Sequence, residues 1–244
     1  MKRLAALGWP ALGVVTLVLL WVGAALYMGK PHVLPGPWAV AETMFSMRGP
    51  LVVAAAKSLS RVGVGWLAAA AVALPAGWAM GAVPALDREL RALLSLLRPI
   101  PPFVWLPLLL LWVGIGEPSS WMVCFVAALF PILAHARQGV AETPVALAAA
   151  AENLGATGLH LWARVRVPAA LPLTFTGLKA GWSLAWMSVV AAELVGADGG
   201  LGQLILDSRN LARPDLAMSG MAVLGAVAAV TGGLLGWAER RVAE

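Results

Sequence analysis

Apolar residues in this chain run on for long stretches, and the polar residues that interrupt them fall in clusters. Six apolar runs stand out, at about residues 4–28, 59–83, 99–115, 119–136, 171–195 and 216–237. An α-helix rises 1.5 Å per residue, so ~20 apolar residues cross a ~30 Å hydrocarbon core. The pattern predicts an all-α integral membrane protein with six spans, forming one transmembrane domain over residues 1–244. An amphipathic stretch, 51–58, leads into the second run. The third run is short and carries Pro99, Pro101, Pro102 and Pro107. A kinked or tilted helix is expected there, with protein neighbours covering the freed backbone groups. The first run follows Met1-Lys2-Arg3 and is too long for a typical signal-peptide core, so it reads as a retained span.

Composition supports the membrane reading. Apolar residues make up 61% of the chain and charged residues 12%, against about a half and a quarter in soluble domains. The net charge of +5 serves orientation better than nucleic-acid binding, because Lys and Arg gather at the ends of the runs. With the N-terminus inside, Lys2, Arg3, Arg88, Arg91, Arg98, Arg137, Arg164, Arg166, Arg240 and Arg241 lie in the cytoplasm. Lys30, Arg48, Lys57, Arg61, Arg209 and Arg213 lie outside. The ten-to-six balance favours cytoplasmic N- and C-termini. The single cysteine, Cys124, sits inside an apolar run and reads as a small buried side chain. No Cys/His metal spacing is present.

Small residues are dense in two runs: Gly63, Gly65, Gly77 and Gly81 in the second, and Gly220, Gly225, Gly232, Gly233 and Gly236 in the sixth. They let helix backbones approach closely in lipid, so both runs are expected at helix–helix interfaces. Tryptophans such as Trp9, Trp21, Trp38, Trp66, Trp78 and Trp237 are expected as interfacial anchors.

The connection 137–168 is far longer than a bundle needs. Thr143 is a suitable N-cap and Pro144 a suitable helix start. Residues 145–154 are nearly all strong helix formers, and Gly155 is placed to end that helix. A basic amphipathic stretch, 158–167, follows, and Pro168 and Pro172 are expected to close it and open run five. A short Ala-rich helix of this kind can dock in a groove of a partner.

Ala149-Ala150-Ala151-Glu152-Asn153-Leu154-Gly155, nine further residues, then Val165-Arg166-Val167-Pro168 resembles the EAA loop of ABC-importer permeases. The Gly-to-Pro spacing matches without a gap. Ala149 stands where the pattern has its leading Glu, and Glu152, one helical turn on, is the residue that would supply the charge. Arg98-Pro-Ile-Pro-Pro, Leu106-Pro-Leu and Trp112-Val-Gly-Ile-Gly116 are similar to the nitrate, sulfonate, taurine and bicarbonate branch of these permeases. So are Leu34-Pro-Gly-Pro37, Ser58-Leu-Ser-Arg-Val62, Ala192-Glu193 and Gly200-Leu-Gly202. The resemblance covers about residues 34–215.

The resemblance implies a type I ABC importer permease in a bacterial inner membrane, with a second permease copy, two cytoplasmic ATPase subunits and an external solute-binding protein as partners. It makes Ala149, Ala150, Ala151, Glu152, Gly155 and Pro168 the coupling segment. It favours a small oxyanion or organic anion such as nitrate, sulfonate or taurine as solute; vitamin precursors and aromatic acids are the alternative. The chain carries no Gly-x-x-x-x-Gly-Lys-Ser/Thr loop, so ATP and Mg would belong to the partner, and the chain itself is expected to have no catalytic residue, cofactor or metal.

Run five supplies the candidate translocation pathway: Ser183, Trp186, Met187 and, at its outer end, Glu193. Lys179 and Glu193 are its ionisable groups, and intramembrane charges mark functional sites. A secondary transporter would show inverted repeats or ionisable residues deep in several spans. A membrane enzyme would cluster His, Asp or Glu at one face. Neither pattern is found; His32, His135 and His160 are scattered.

Overall fold

A computed structural model describes residues 2–243, with side chains except at residues 2–11, 93, 159, 242 and 243. Helices α1 (Lys2–Met28) and α2 (Pro37–Ser46) lead into α3 (Arg48–Ala82) and α4 (Pro84–Leu97). A 3-10 turn (Pro102–Trp105) precedes α5 (Leu106–Val113), and α6 (Glu117–Ala141) follows. The long connection holds α7 (Val145–Asn153) and α8 (Gly158–Leu161), then a π turn (Trp162–Arg166) that runs into α9 (Val167–Val195). The chain closes with α10 (Leu201–Asn210) and α11 (Pro214–Ala243).

Four of these segments are single helices long and apolar enough to cross a membrane: α3, α6, α9 with its π turn, and α11. The expected third span is broken. Residues Pro84–Leu97 and Pro102–Val113 meet at 83°, because Pro99, Pro101 and Pro102 lack the N–H groups a continuous helix requires. In α1 the apolar helix is described over Leu12–Met28. The amphipathic lead-in 51–58 is not a separate element; it is part of α3.

The core is a three-helix stack with α6 in the middle. Along α3, Gly65, Ala69, Ala73, Gly77 and Gly81 recur every four residues and so share one face. That face lies directly on α6. A Cβ at Gly65 would stand 2.5 Å from Cys124 Cβ and 2.6 Å from the Trp121 carbonyl. One at Gly77 would stand 2.7 Å from the Leu133 carbonyl. On the other side, Gly177 and Gly181 of α9 press on His135 and Ile132 in the same way. Without side chains between them the backbones gain dispersion contacts that lipid would not supply.

The sixth run behaves differently. Gly225, Gly233 and Gly236 meet nothing within 4 Å, and Gly232 meets only the Trp182 ring at 3.9 Å. Gly220 is the exception in α11, since a Cβ there would stand 3.0 Å from Ile205 Cγ1 of α10; the other four glycines make no close helix–helix interface within this chain. Trp66 and Trp78 are also not surface anchors. Trp66 packs edge-on to Trp182 at 5.3 Å between ring centroids and donates to the Leu178 carbonyl at 2.9 Å. Trp78 donates to Thr174 Oγ1 at 3.3 Å.

Candidate functional site

The long connection forms the helix read from its composition. Helix α7 ends in a Schellman motif: the Gly155 N–H donates to the Glu152 carbonyl at 2.9 Å, and the Ala156 N–H to the Ala151 carbonyl at 3.0 Å. Gly155 adopts φ +86°, the left-handed conformation this cap requires. The N-terminus differs from expectation. Pro144 is itself the N-cap, with no side-chain cap bond, and Thr143 Oγ1 donates instead to the Gly139 carbonyl at 3.4 Å. Thr143 still belongs to the turn that ends α6, so its hydroxyl is committed backwards.

No side chain of α7 is buried. Val145 and Leu154 are 83% and 89% exposed, and Leu147 is exposed as well. One flank of α7 faces a cleft of about 290 Å³ lined by Gly81, Val140, Thr143, Ala149, Glu152 and Arg166. Ala149 and Glu152 thus open onto the same cleft, beside Arg166.

Pro168 does not break the chain between the loop and the fifth span. The Val167 N–H reaches the Trp162 carbonyl, a wide i→i+5 turn that moves the preceding carbonyls away from the proline ring. The helix therefore continues from the loop into α9. A rigid arm results, joining the exposed α7–α8 corner to a membrane span.

At the opposite end of α6 lies a charge cluster that the sequence reading only partly assembled. Arg61, counted there as an outside surface charge, is fully buried, together with Ser58 and Glu193. Arg61 Nη1 donates to Glu193 Oε1 at 2.8 Å and to the Gly199 carbonyl at 2.6 Å. Its Nη2 donates to Glu117 Oε1 at 2.5 Å and to the Asp198 carbonyl at 2.9 Å, and its Nε to Glu117 Oε2 at 2.9 Å. Ser58 Oγ donates to Glu193 Oε1 at 2.7 Å and accepts from the Leu201 N–H at 2.9 Å. The Gly202 N–H donates to Glu193 Oε2 at 2.8 Å.

This network is nearly saturated. Every nitrogen of the guanidinium has an acceptor, which a buried charge requires. It ties α3, the start of α6, the end of α9 and the start of α10 into one unit. Gly200, at φ +110°, makes this possible, since a Cβ there would lie 2.4 Å from Glu193 Cδ and 2.7 Å from Arg61 Nη1. Glu117 was not singled out from sequence. The available signal was Arg61 itself: an arginine one turn inside an apolar run demands carboxylate partners.

The four candidate pathway residues do not share one surface. Ser183 and Met187 are exposed on α9, and Ser183 Oγ donates to the Lys179 carbonyl at 3.1 Å. Trp186 is buried in the core cluster with Val62, Cys124 and Trp182. Trp186 lies about 60° around the helix from Ser183 and about 100° from Met187, on the edge of that face that packs against the neighbouring helices. Glu193 is locked in the charge cluster. Lys179 is paired with Glu239 of α11 at 2.5 Å, so it is not a free charge of the span.

Comparison with known proteins gives a family match, three relatives and a solved structure of similar fold. The family model described as "Binding-protein-dependent transport system inner membrane component" matches residues 69–243. A protein named as an ABC transporter permease in Methanocaldococcus jannaschii is 39% identical over 228 residues, 91% of this chain and 84% of its own. The taurine transport system permease protein TauC of Escherichia coli is 34% identical, covering 88% of this chain and 80% of its own. The nitrate import permease protein NrtB of Synechocystis is 31% identical, covering 82% and 76%. Among solved structures, the MetNI methionine ABC transporter in inward-facing conformations superposes with a TM-score of 0.67. It is 23% identical and covers 81% of this chain and 96% of its own, a likeness of fold.

Proposed function

This chain belongs to the family of binding-protein-dependent transport system inner membrane components, and on that premise we propose how it works as the permease subunit of an ATP-driven importer. The solute is a small oxyanion or organic anion of the nitrate, sulfonate or taurine kind, which the names of the taurine and nitrate relatives support. An external binding protein delivers it. Two copies of this chain enclose the pathway, with Ser183 and Met187 on the exposed face of α9 turned toward it. The termini are cytoplasmic, as the distribution of Lys and Arg favours.

One observation carries the coupling role of residues 145–155. A helix with no buried side chain and three exposed large apolar residues, Val145, Leu147 and Leu154, stands at the end of a continuous helical arm into α9. Exposed apolar side chains grouped on a protruding helix mark an interaction site. The ATPase subunit is the partner. Closure of the ATPase pair on ATP displaces α7, and the arm through the π turn transmits the displacement to α9. The solute changes the ATPase rate only through different affinities for the two states of the pathway.

The test is Gly155→Trp in the complex reconstituted with its ATPase and binding protein. At φ +86° any side chain is strained, and an indole blocks close docking. The expected result is loss of solute-stimulated ATPase activity. Full stimulation in an assembled Gly155→Trp complex would remove the coupling role from this helix.

A further inference from the structure

Helix α4 is amphipathic in a way the transport reading does not use. Leu90 and Leu94 pack on the core cluster formed by α3 and α6. Asp87, Arg88, Arg91 and Ser95 line an open groove of about 460 Å³ on its polar side. Behind the groove lies a chamber of about 300 Å³ between α4 and α6, and Arg91 and Ser95 line both. Its walls are apolar, with Leu94, Phe130 and Leu133 prominent, and three guanidiniums stand around it, those of Arg91, Arg98 and Arg137. Only one carboxylate serves them among the described residues. Asp87 accepts from Arg137 Nε at 2.5 Å and from Arg91. Glu89, two residues on, stands on the opposite face of the helix. The site is therefore cationic at its mouth and hydrocarbon-lined within.

We propose that this groove and chamber bind one anionic phospholipid of the adjacent leaflet, with its phosphate on Arg91 and Arg98 and the start of an acyl chain against Leu94, Phe130 and Leu133. Charge complementarity fixes the headgroup, because Arg91, Arg98 and Arg137 around the chamber leave two positive charges after Asp87 is counted, and Arg88 at the groove adds a third. The apolar walls fix the tail, since a free oxyanion gains nothing from them. Basic pockets between membrane helices take anionic lipid headgroups for the same reason. The chamber lies at the α7 end of α6, where the orientation proposed above puts the anionic cytoplasmic leaflet; the lipid chemistry itself does not depend on the solute. A lipid wedged there would brace α4 against α6.

The experiment is native mass spectrometry of the full-length permease with its ATPase, extracted from vesicles of phosphatidylcholine and phosphatidylglycerol in equal parts. Wild type should retain phosphatidylglycerol in preference to phosphatidylcholine. Arg91→Gln and Arg98→Gln should each weaken that preference about five-fold, while Arg164→Gln, an exposed arginine at the same end, should leave it unchanged. Ala134→Trp fills the chamber without touching a charge and should expel the lipid from a complex that still assembles. Equal retention of the two lipids by wild type would overturn the proposal. So would wild-type retention by Ala134→Trp, or displacement of phosphatidylglycerol by inorganic phosphate.

Discussion

Replacing Glu193 by alanine removes the acceptor at the centre of the charge cluster at the Glu117 end of α6, and the structure sets the size of the effect. The carboxylate accepts from Arg61, Ser58 and the Gly202 N–H, and is 1% exposed. Removing one partner of a buried ion pair costs about 3–5 kcal/mol. Arg61 keeps both bonds to Glu117 and its two carbonyl acceptors, so its charge is not stranded. The cost then comes from the lost half of the pairing and from the orphaned Gly202 donor, about 1–3 kcal/mol for a buried group. Together these place Glu193→Ala near the lower end of the range, at ~3 kcal/mol. Glu117→Ala is the comparison. Its side chain is 42% exposed, so water replaces the carboxylate, and the loss is that of a partly exposed pair, ~1 kcal/mol. The assay is unfolding in mixed micelles titrated with denaturing detergent, followed by tryptophan fluorescence, since Trp66 and Trp182 pack edge to face between α3 and α9, two of the helices the cluster ties together. If Glu117→Ala cost as much as Glu193→Ala, or if Glu193→Ala lay within ~0.5 kcal/mol of wild type, the cluster would not be the structural tie described.

Two further outcomes follow from the same geometry. Gly200→Ala should destabilise by about 1–3 kcal/mol through its backbone conformation alone, and by less in a Glu193→Ala background, where the new Cβ finds the space the carboxylate left; additive costs in a double-mutant cycle would refute that coupling. Gly77→Leu should cost about 1–3 kcal/mol by overpacking the α3–α6 contact, whereas Gly63→Ala, with nothing within 4 Å, should be neutral or stabilising by about 0.5–1 kcal/mol; equal effects in the unfolding assay would contradict the assignment of the packed face.

The long helices were legible because lipid imposes a one-dimensional rule: uninterrupted apolar residues. The rule says nothing about short elements. Helices α2 and α10 were not read from sequence, since ten residues of mixed polarity at a membrane boundary carry no such signal. Nor does it show where a helix truly ends. Pro168 looked like a boundary, but a π turn absorbs its missing donor and the helix continues. Helix α7 of the long connection was readable because its determinants are local, an alanine run and a capping glycine. The charge cluster was not, because it joins residues up to 143 positions apart that only folding brings together. Glu193 was noticed as an intramembrane acid, yet Arg61 was read as a surface charge, since charge counting along a sequence cannot tell a buried arginine from an exposed one. Likewise, Ser183 and Trp186 sit close in sequence on one helix, and only the packing of α9 on its neighbours turns Trp186 inward.

The central claim is that residues 145–155 are where the ATPase subunit reaches this membrane chain. Cys124 is the only cysteine and is fully buried, so a Cys124→Ser background gives a chain without cysteine. Single cysteines at Val145, Leu147 and Ala149 can then be tested for disulfide crosslinking to cysteines introduced on the partner ATPase in membranes, with His32→Cys at the other end of the bundle as control. The account predicts crosslinks from the three α7 positions, changing in yield when ATP is added, and none from His32. Co-purification of the ATPase without any crosslink from α7 would contradict it.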